Sequence, residues 1–368
     1  MSLRDCSRIA ELLVAAVLSS VPGDAATWAF AVSGDSRNCG DVAMPSISAG
    51  AIKDGAKFYW HLGDFRAMYG VDEDIGKGGG PADLKAYRQL AWGDFILHQL
   101  GPFGAMPVFL SRGNHDEAGV KTRAEYLTEF AAWLDQGPIK EQRLRDDPAD
   151  NVVKTYYHWI QSGVDFVTLD NAADYQFEPA QMAWFEQVLD RAAANPEVKT
   201  VVAGMHRALP DSLSTGHGMN DSPQGITSGR QAYHDLVQFR KKTGKRVYVL
   251  ASHSHIYISD VYDTPCRREH PDEVLPGWIV GTAGAVRYRL PAEHGSAKQA
   301  ETDVYGYLLG TVADDGSINF EFKRIKEGEI AEQTTQRYSH ELIHWCFAHN
   351  TGDYVPQGPP QPPNCPAP

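Results

Sequence analysis

The chain has 368 residues, 42% of them hydrophobic and 22% charged, a globular composition with enough apolar material for a sizeable core. Its formal net charge is −13 and it carries no basic run, which excludes polymeric nucleic acid and anionic membrane as default partners. A small anionic substrate stays compatible, because a bound metal reverses the local field.

Residues 1–26 read as a leader. Arg4 and Arg8 form a basic start, residues 12–21 an apolar stretch, and Ala25 or Ala26 a cleavage position. Asp5 and Glu11 are unusual in such a leader, and a short amphipathic helix is the alternative. Loss of the leader would remove Cys6 and leave Cys39, Cys266, Cys346 and Cys365, an even number that suits a secreted or periplasmic protein. Unpaired thiols in a cytoplasmic protein are the other reading. No two cysteines lie close enough in sequence for a zinc pair, and no stretch reaches the roughly 18–20 apolar residues of a membrane span.

Short apolar runs then alternate with amphipathic ones. Residues 28–33, 57–62 and 106–111 are apolar and bounded by polar or glycine residues, as buried strands are. Residues 83–100 and 122–134 are helical between and after them, and 164–169 is a further strand. Over 179–195, Met182, Phe185, Val188, Leu189 and Ala192 share one helical face, and Asn195-Pro196 stops the run. Residues 201–204 and 247–251 are strands. From Tyr257 onward no clear helix separates the strands, and 307–323, with Asp314-Asp315-Gly316 at its middle, is a hairpin. The order is α/β with a strand-rich C-terminal half. Two long polar segments, 68–82 and 207–230, follow candidate site residues and read as a rim or lid, or as plain surface insertions. The proline-rich stretch 357–368 is extended.

Metal-ligating residues recur where these strands end. Hard metals need carboxylates, and borderline metals also accept imidazole and amide oxygen. Strand C-termini are where loops converge on one crevice. Asp35 follows the first strand in Ser33-Gly34-Asp35-Ser36-Arg37, and Asp64 the second in His61-Leu62-Gly63-Asp64. Asn114 and His115 follow the third in Arg112-Gly113-Asn114-His115-Asp116-Glu117. His206 ends a fourth in Ala203-Gly204-Met205-His206. His253 and His255 end a fifth in Ser252-His253-Ser254-His255, where alternate residues share one face. A Gly-Asp pair alone is ordinarily a turn, and a lone His ordinarily a satisfied polar residue. The ordered set is what makes the pattern specific.

That series, Gly-Asp, Gly-Asp, Gly-Asn-His-Asp/Glu, His and His-x-His, resembles the calcineurin-like metallophosphoesterases, which include purple acid phosphatases. It runs from Gly34 to His255; the hairpin fits the family's second sheet, and Gln181, Trp184, Phe185 and Leu189 resemble the helix the family places before its metal-binding His. The resemblance implies a four-layer α/β/β/α sandwich of two mixed sheets. The expected organisation is a leader (1–26), a catalytic domain (27–330) and a C-terminal extension with the proline-rich tail (331–368). The resemblance further implies hydrolysis of a small phosphorylated substrate, mono- or diester. The nucleophile would be a hydroxide shared by two metal ions (Mn, Fe, Zn or Co) about 3.5–4 Å apart, with no Ser or Cys nucleophile. Asp64 would bridge both ions. Asn114, His206 and His253 would complete one site, and Asp35 and His255 would hold the other. His115 would stand beside the leaving group as general acid or electrostatic stabiliser, with Asp116 orienting it. A catalytically silent binding scaffold of the same fold is the alternative; the intact His115 argues against it.

Three positions depart from the family. Ser252 stands where the last motif commonly has glycine. Arg37 occupies the slot of a ligating His in the first motif. Ala67 occupies the slot where purple acid phosphatases carry a Tyr, with Tyr69 two residues on, which argues against iron-tyrosinate chemistry. The first site is therefore one protein ligand short. Water or substrate fills the gap, or Asn38, His61 or Tyr69 substitutes, or the centre is effectively mononuclear. Arg37, with its planar fork, is assigned to phosphate oxygens, with a structural ion pair as the alternative. His98, His158 and His234 read as structural or surface residues, and His217 is a minor candidate for substrate contact.

Overall fold

The structure, a computed structural model, describes residues 27–172 and 175–359; the expected leader and the tail from residue 360 lie outside them. Side-chain alternation along the first strands sets the layers. In β1 (Trp28–Ser33) and β2 (Ala56–His61), Phe30, Phe58 and Trp60 point to one face. There Phe30 and Phe58 meet Phe166 edge-on at 5.0 and 5.1 Å, and Trp60 meets Trp159 at 5.3 Å. The other face carries Tyr59, whose hydroxyl bonds Ser33 and lies 3.6 Å from the Met44 sulfur. In β3 (Val108–Leu110), Phe109 stacks on Trp159 at 3.8 Å.

The first sheet has the order β12 (Ile318–Ile325), β11 (Tyr305–Val312), β1, β2, β3, with β1, β2 and β3 parallel. The second has the order β10 (Ala300–Glu301), β8 (Tyr257–Ser259), β9 (Gly277–Val280), β7 (Arg246–Ala251), β6 (Thr200–Met205), β5 (Val164–Leu169), β4 (Tyr157–Gln161). Its members β5, β6, β7 and β9 are parallel. The aromatic core lies between the sheets. Gly204 of β6 is required there, because a Cβ would fall 2.2 Å from the Trp60 ring. Helix Gly40–Lys53 covers the outer face of the first sheet, and helices Pro179–Ala194 and Pro223–Thr243 cover that of the second. The expected sandwich of two mixed sheets is the fold the chain adopts.

Several elements differ from expectation. The polar segment 207–230 is not all loop: helix Pro223–Thr243 begins inside it, capped by Ser222 and closed by Gly244 at φ 71°. Its buried first turns carry Gly225 and Gly229, where a Cβ would strike the Tyr175 carbonyl and Pro210, so the apolar stripe that marks a helix is missing. The expected helix over 122–134 breaks at Phe130 into Arg123–Glu129 and Ala131–Leu134. Helices also occur after Tyr257, at Glu332–Arg337 and His340–Ala348. The latter is tied to the start of Gly40–Lys53 by a Cys39–Cys346 disulfide, and Cys266 is disulfide-bonded as well. Among the described residues no helix is long and apolar enough to cross a membrane.

His158 of β4 lies buried between two carboxylates, 2.8 Å from Asp165 and 2.5 Å from Asp146. Burial opposes its charge, but the two carboxylates outweigh burial and push its pKa up to about 9. The carboxylates themselves differ. Asp165, fully enclosed, is pushed up by burial despite His158, whereas at Asp146 the hydrogen bond from His158 overcomes burial and holds it down. The folded pKa of His158 exceeds the unfolded value, so its contribution is complete below about pH 6.5 and is lost as pH rises through about 9. The shift corresponds to roughly 3 kcal/mol. Urea midpoints should fall between pH 6 and pH 10, and His158→Gln should flatten that fall; an equal fall in the variant would remove the assignment.

Candidate metal centre

Strands β1, β2 and β3 of one sheet and β6 and β7 of the other end at a common edge, and each hands its next residues to one cleft. The turns there are tight. Asp35, Asp64 and His253 adopt φ of 61°, 60° and 67°, a left-handed region that costs a non-glycine residue on the order of 1 kcal/mol or more. Cross-strand bonds hold them: Asp35 N–H donates to the Gly63 carbonyl at 2.9 Å, and Ser36 N–H to the Asp64 carbonyl at 3.0 Å. Gly113 packs so closely that a Cβ would lie 2.2 Å from the Asp64 nitrogen, which is why glycine must precede Asn114.

Four buried or half-buried candidate ligand atoms converge. His206 Nε2 lies 3.3 Å from Asp64 Oδ1, 3.0 Å from Asn114 Oδ1 and 3.0 Å from His253 Nδ1. The Leu62 carbonyl, 2.8 Å from His206 Nδ1, can only accept; it therefore fixes the ring proton on Nδ1 and turns the Nε2 lone pair into the cleft. Ser252 bonds the same carbonyl at 2.8 Å, so the residue in the usual glycine slot braces His206. Burial works against charge on His206, yet Asp64 and Asp35 outweigh it and hold its pKa up. Asp64 is held well below the usual carboxylate range, because His115, His206 and Arg37 overcome burial. Ligand atoms facing one another around a negative charge fit a cation, and Asp64, His206 and His253 each bring one within 4.8 Å of the others.

The other half of the cleft holds Asp35, His255 and Arg37. His255 Nε2 is 3.4 Å from Asp35 Oδ1, and Asp35 Oδ2 accepts the His253 N–H at 2.6 Å. Arg37 Nη2 lies 3.0 Å from His255 Nε2, Nη1 donates to the Tyr69 hydroxyl at 3.0 Å, and Nε stands 3.7 Å from Asp64 Oδ2. None of the expected substitutes completes a ligand shell here. His61 bonds Ser36 at 2.9 Å and packs against Phe65 and Phe95, Asn38 bonds Glu73 at 2.8 Å, and Tyr69 holds Arg37.

His115 Nε2 stands 3.8 Å from Asp64 Oδ2, and its Nδ1 bonds the Ala67 carbonyl at 2.9 Å. Burial draws its pKa down to about 4, with Arg37 adding to the fall and Asp64 opposing it. Asp116 does not orient His115, contrary to expectation. Its carboxylate accepts backbone N–H groups of Gly113 at 2.6 Å, Phe65 at 2.7 Å and Asp64 at 3.2 Å. It fixes the two loops that carry Asp64 and Asn114, while the Ala67 carbonyl sets the His115 ring.

Aromatic residues rim the cleft. Tyr288 stacks on His255 at 4.1 Å, His217 on His253 at 3.9 Å, and Tyr69 lies 4.4 Å from His115. Tyr354 stands 4.8 Å from Tyr288 and 5.2 Å from His217, and its hydroxyl bonds the Gly216 carbonyl at 2.8 Å. The chain after the last helix thus returns over the site. Tyr288 and Tyr354 escaped sequence reasoning, since neither sits in a motif or directly after an apolar strand of the series.

A family model described as calcineurin-like phosphoesterase matches residues 47–257. No curated protein matches the chain. Among solved structures, the purple acid phosphatase PPD1 from yellow lupin (Lupinus luteus) seeds aligns at 17% identity and a TM-score of 0.54, over 82% of this chain and 52% of that one. PhoD aligns at 13% identity and a TM-score of 0.51, over 88% of this chain and 78% of that one. This chain therefore spans about half the length of the lupin enzyme, and at such identities the likeness is one of fold.

Proposed function

We propose that this chain, which belongs to the calcineurin-like phosphoesterase family, hydrolyses a small phosphorylated substrate with a metal ion held by Asp64, Asn114, His206 and His253. The observation that carries this reading is the meeting of those four candidate ligand atoms around a buried carboxylate, drawn from the ends of strands in both sheets. A bound ion supplies Lewis acidity, bringing the pKa of a water it holds towards neutrality and offsetting charge on the phosphoryl group. Arg37, steadied by Tyr69, offers its fork to phosphate oxygens. His115 presents Nε2 to the same space and, when protonated there, delivers that proton to the leaving oxygen. Leu62 and Ser252 orient His206, and Asp116 holds the loops of Asp64 and Asn114. The ligand types suit Mn, Fe, Zn or Co.

We take residues 27–330 as the catalytic unit and 331–368 as an extension whose described part closes over the cleft through Tyr354. The disulfides support an oxidising, secreted or periplasmic setting. Elemental analysis, paired with hydrolysis of p-nitrophenyl phosphate and bis-p-nitrophenyl phosphate under added Mn, tests the function. Bound metal with turnover is expected, and the preferred ester separates monoesterase from diesterase. Protein that stays metal-free and inert after reconstitution would instead be a silent scaffold.

A further inference from the structure

We infer that Arg37 takes the place of a second metal ion, so that the centre works with one metal ion and one guanidinium. The inference rests on the metal-hydrolase reading above and concerns its stoichiometry. It starts from His255. Nδ1 of that ring lies 2.6 Å from the Val286 carbonyl, which can only accept, so Nδ1 carries the proton and Nε2 carries the lone pair. A second ion would have to bind that lone pair. Arg37 Nη2, a permanent donor, already lies on it at 3.0 Å. A metal–imidazole bond is about 2.0–2.1 Å long, which would leave an ion on that line roughly 1 Å from the arginine nitrogen. The two cannot share the position.

The rest of the half-site agrees. Arg37 is enclosed, only 7% exposed, and its charge faces Asp64 Oδ2 at 3.7 Å. Asp35 Oδ1 and Asp64 Oδ2, buried without a hydrogen-bond donor among the described residues, are the oxygens a second ion would take. The guanidinium supplies positive charge to the same neighbourhood. Tyr69 closes the arrangement from the rim by accepting from Nη1. The two halves of the cleft therefore differ. One offers four convergent ligand atoms with no arginine among them; the other offers two carboxylate oxygens and an imidazole whose lone pair is engaged. A guanidinium in this place still serves the reaction, because its planar fork pairs with phosphate oxygens.

Mn2+ binding tests the inference through ion count and electron paramagnetic resonance. Wild-type protein is expected to hold one Mn2+ per chain, with the hyperfine sextet of an isolated ion. R37H, which exchanges the guanidinium for a neutral ligand, is expected to hold two, with the broadened spectrum of an exchange-coupled pair; R37A serves as the second variant should R37H not fold. Two coupled ions in the wild type would overturn the inference while leaving the hydrolase reading intact. So would a count of one in both variants, because Arg37 would then not be what excludes the second ion. Protein that binds no Mn2+ in any form would overturn the inference and the metal reading together.

Discussion

Asp64→Asn is expected to strip the protein of metal and to lower turnover by on the order of 10^3 or more. The carboxylate is fully buried, and both its oxygens face charged or polar groups of the site. Oδ1 accepts the His115 backbone N–H at 2.8 Å and faces His206 at 3.3 Å, while Oδ2 faces Arg37 and His115. The amide keeps the shape but removes the charge that holds the ion and balances Arg37. The loss of several kcal/mol of cation binding and charge stabilisation translates into at least about a thousandfold in rate. Stability should fall as well, because the buried Arg37 loses the charge that balances it, even though Asn tolerates the left-handed φ of 60° at this position. Metal content, kcat on p-nitrophenyl phosphate and thermal midpoint, measured on one preparation, separate these effects. Near-normal metal content would remove Asp64 from the ligand set, whatever happened to the rate.

The convergence of the candidate site was legible in sequence wherever a candidate residue lies just past the end of a buried strand. Residues 28–33 and 164–169 appear as strands residue for residue, since both are almost wholly buried and flanked by polar residues or glycine. Asp35, Asp64, Asn114, His206 and His253 inherit their placement from such strand ends. What sequence could not carry are contacts made by chain return. Arg37 and His255 stand 3.0 Å apart although 218 residues separate them. Their pairing depends on Val286, which fixes the His255 tautomer from a loop with no motif of its own. Tyr354 reaches the cleft because its segment returns beside residues 287–289, where the Arg287 and Arg289 N–H groups donate to the Asn350 and Tyr354 carbonyls, after a helix tied down by Cys39–Cys346. In sequence, Asp116 reads as a partner of its neighbour His115. Its buried carboxylate instead binds three backbone N–H groups, and backbone donors leave no trace in residue type.

His115→Ala should separate chemistry from binding. His115 contacts none of His206, His253 or Asn114 through its ring: Nδ1 is spent on the Ala67 carbonyl, and Nε2 approaches only the Asp64 oxygen, at 3.8 Å. Its ring lies outside hydrogen-bond distance of the Asp64 oxygen as well, so metal content is expected to stay near that of the wild type. Turnover should fall by about 10^2–10^4, the usual contribution of a positioned acid. The enclosed ring is drawn down to about 4 by burial, but the anionic phosphoryl group of a bound substrate raises it, as Asp64 already does, and so favours the protonated form in the complex. The nature of the leaving group then discriminates between roles. p-Nitrophenolate departs with little help from a proton, whereas an alkoxide needs one. A general acid at His115 predicts a smaller loss on p-nitrophenyl phosphate than on an alkyl phosphate. Equal losses on both would make His115 a charge stabiliser, and a variant that also lost its metal would place the imidazole among the ligands.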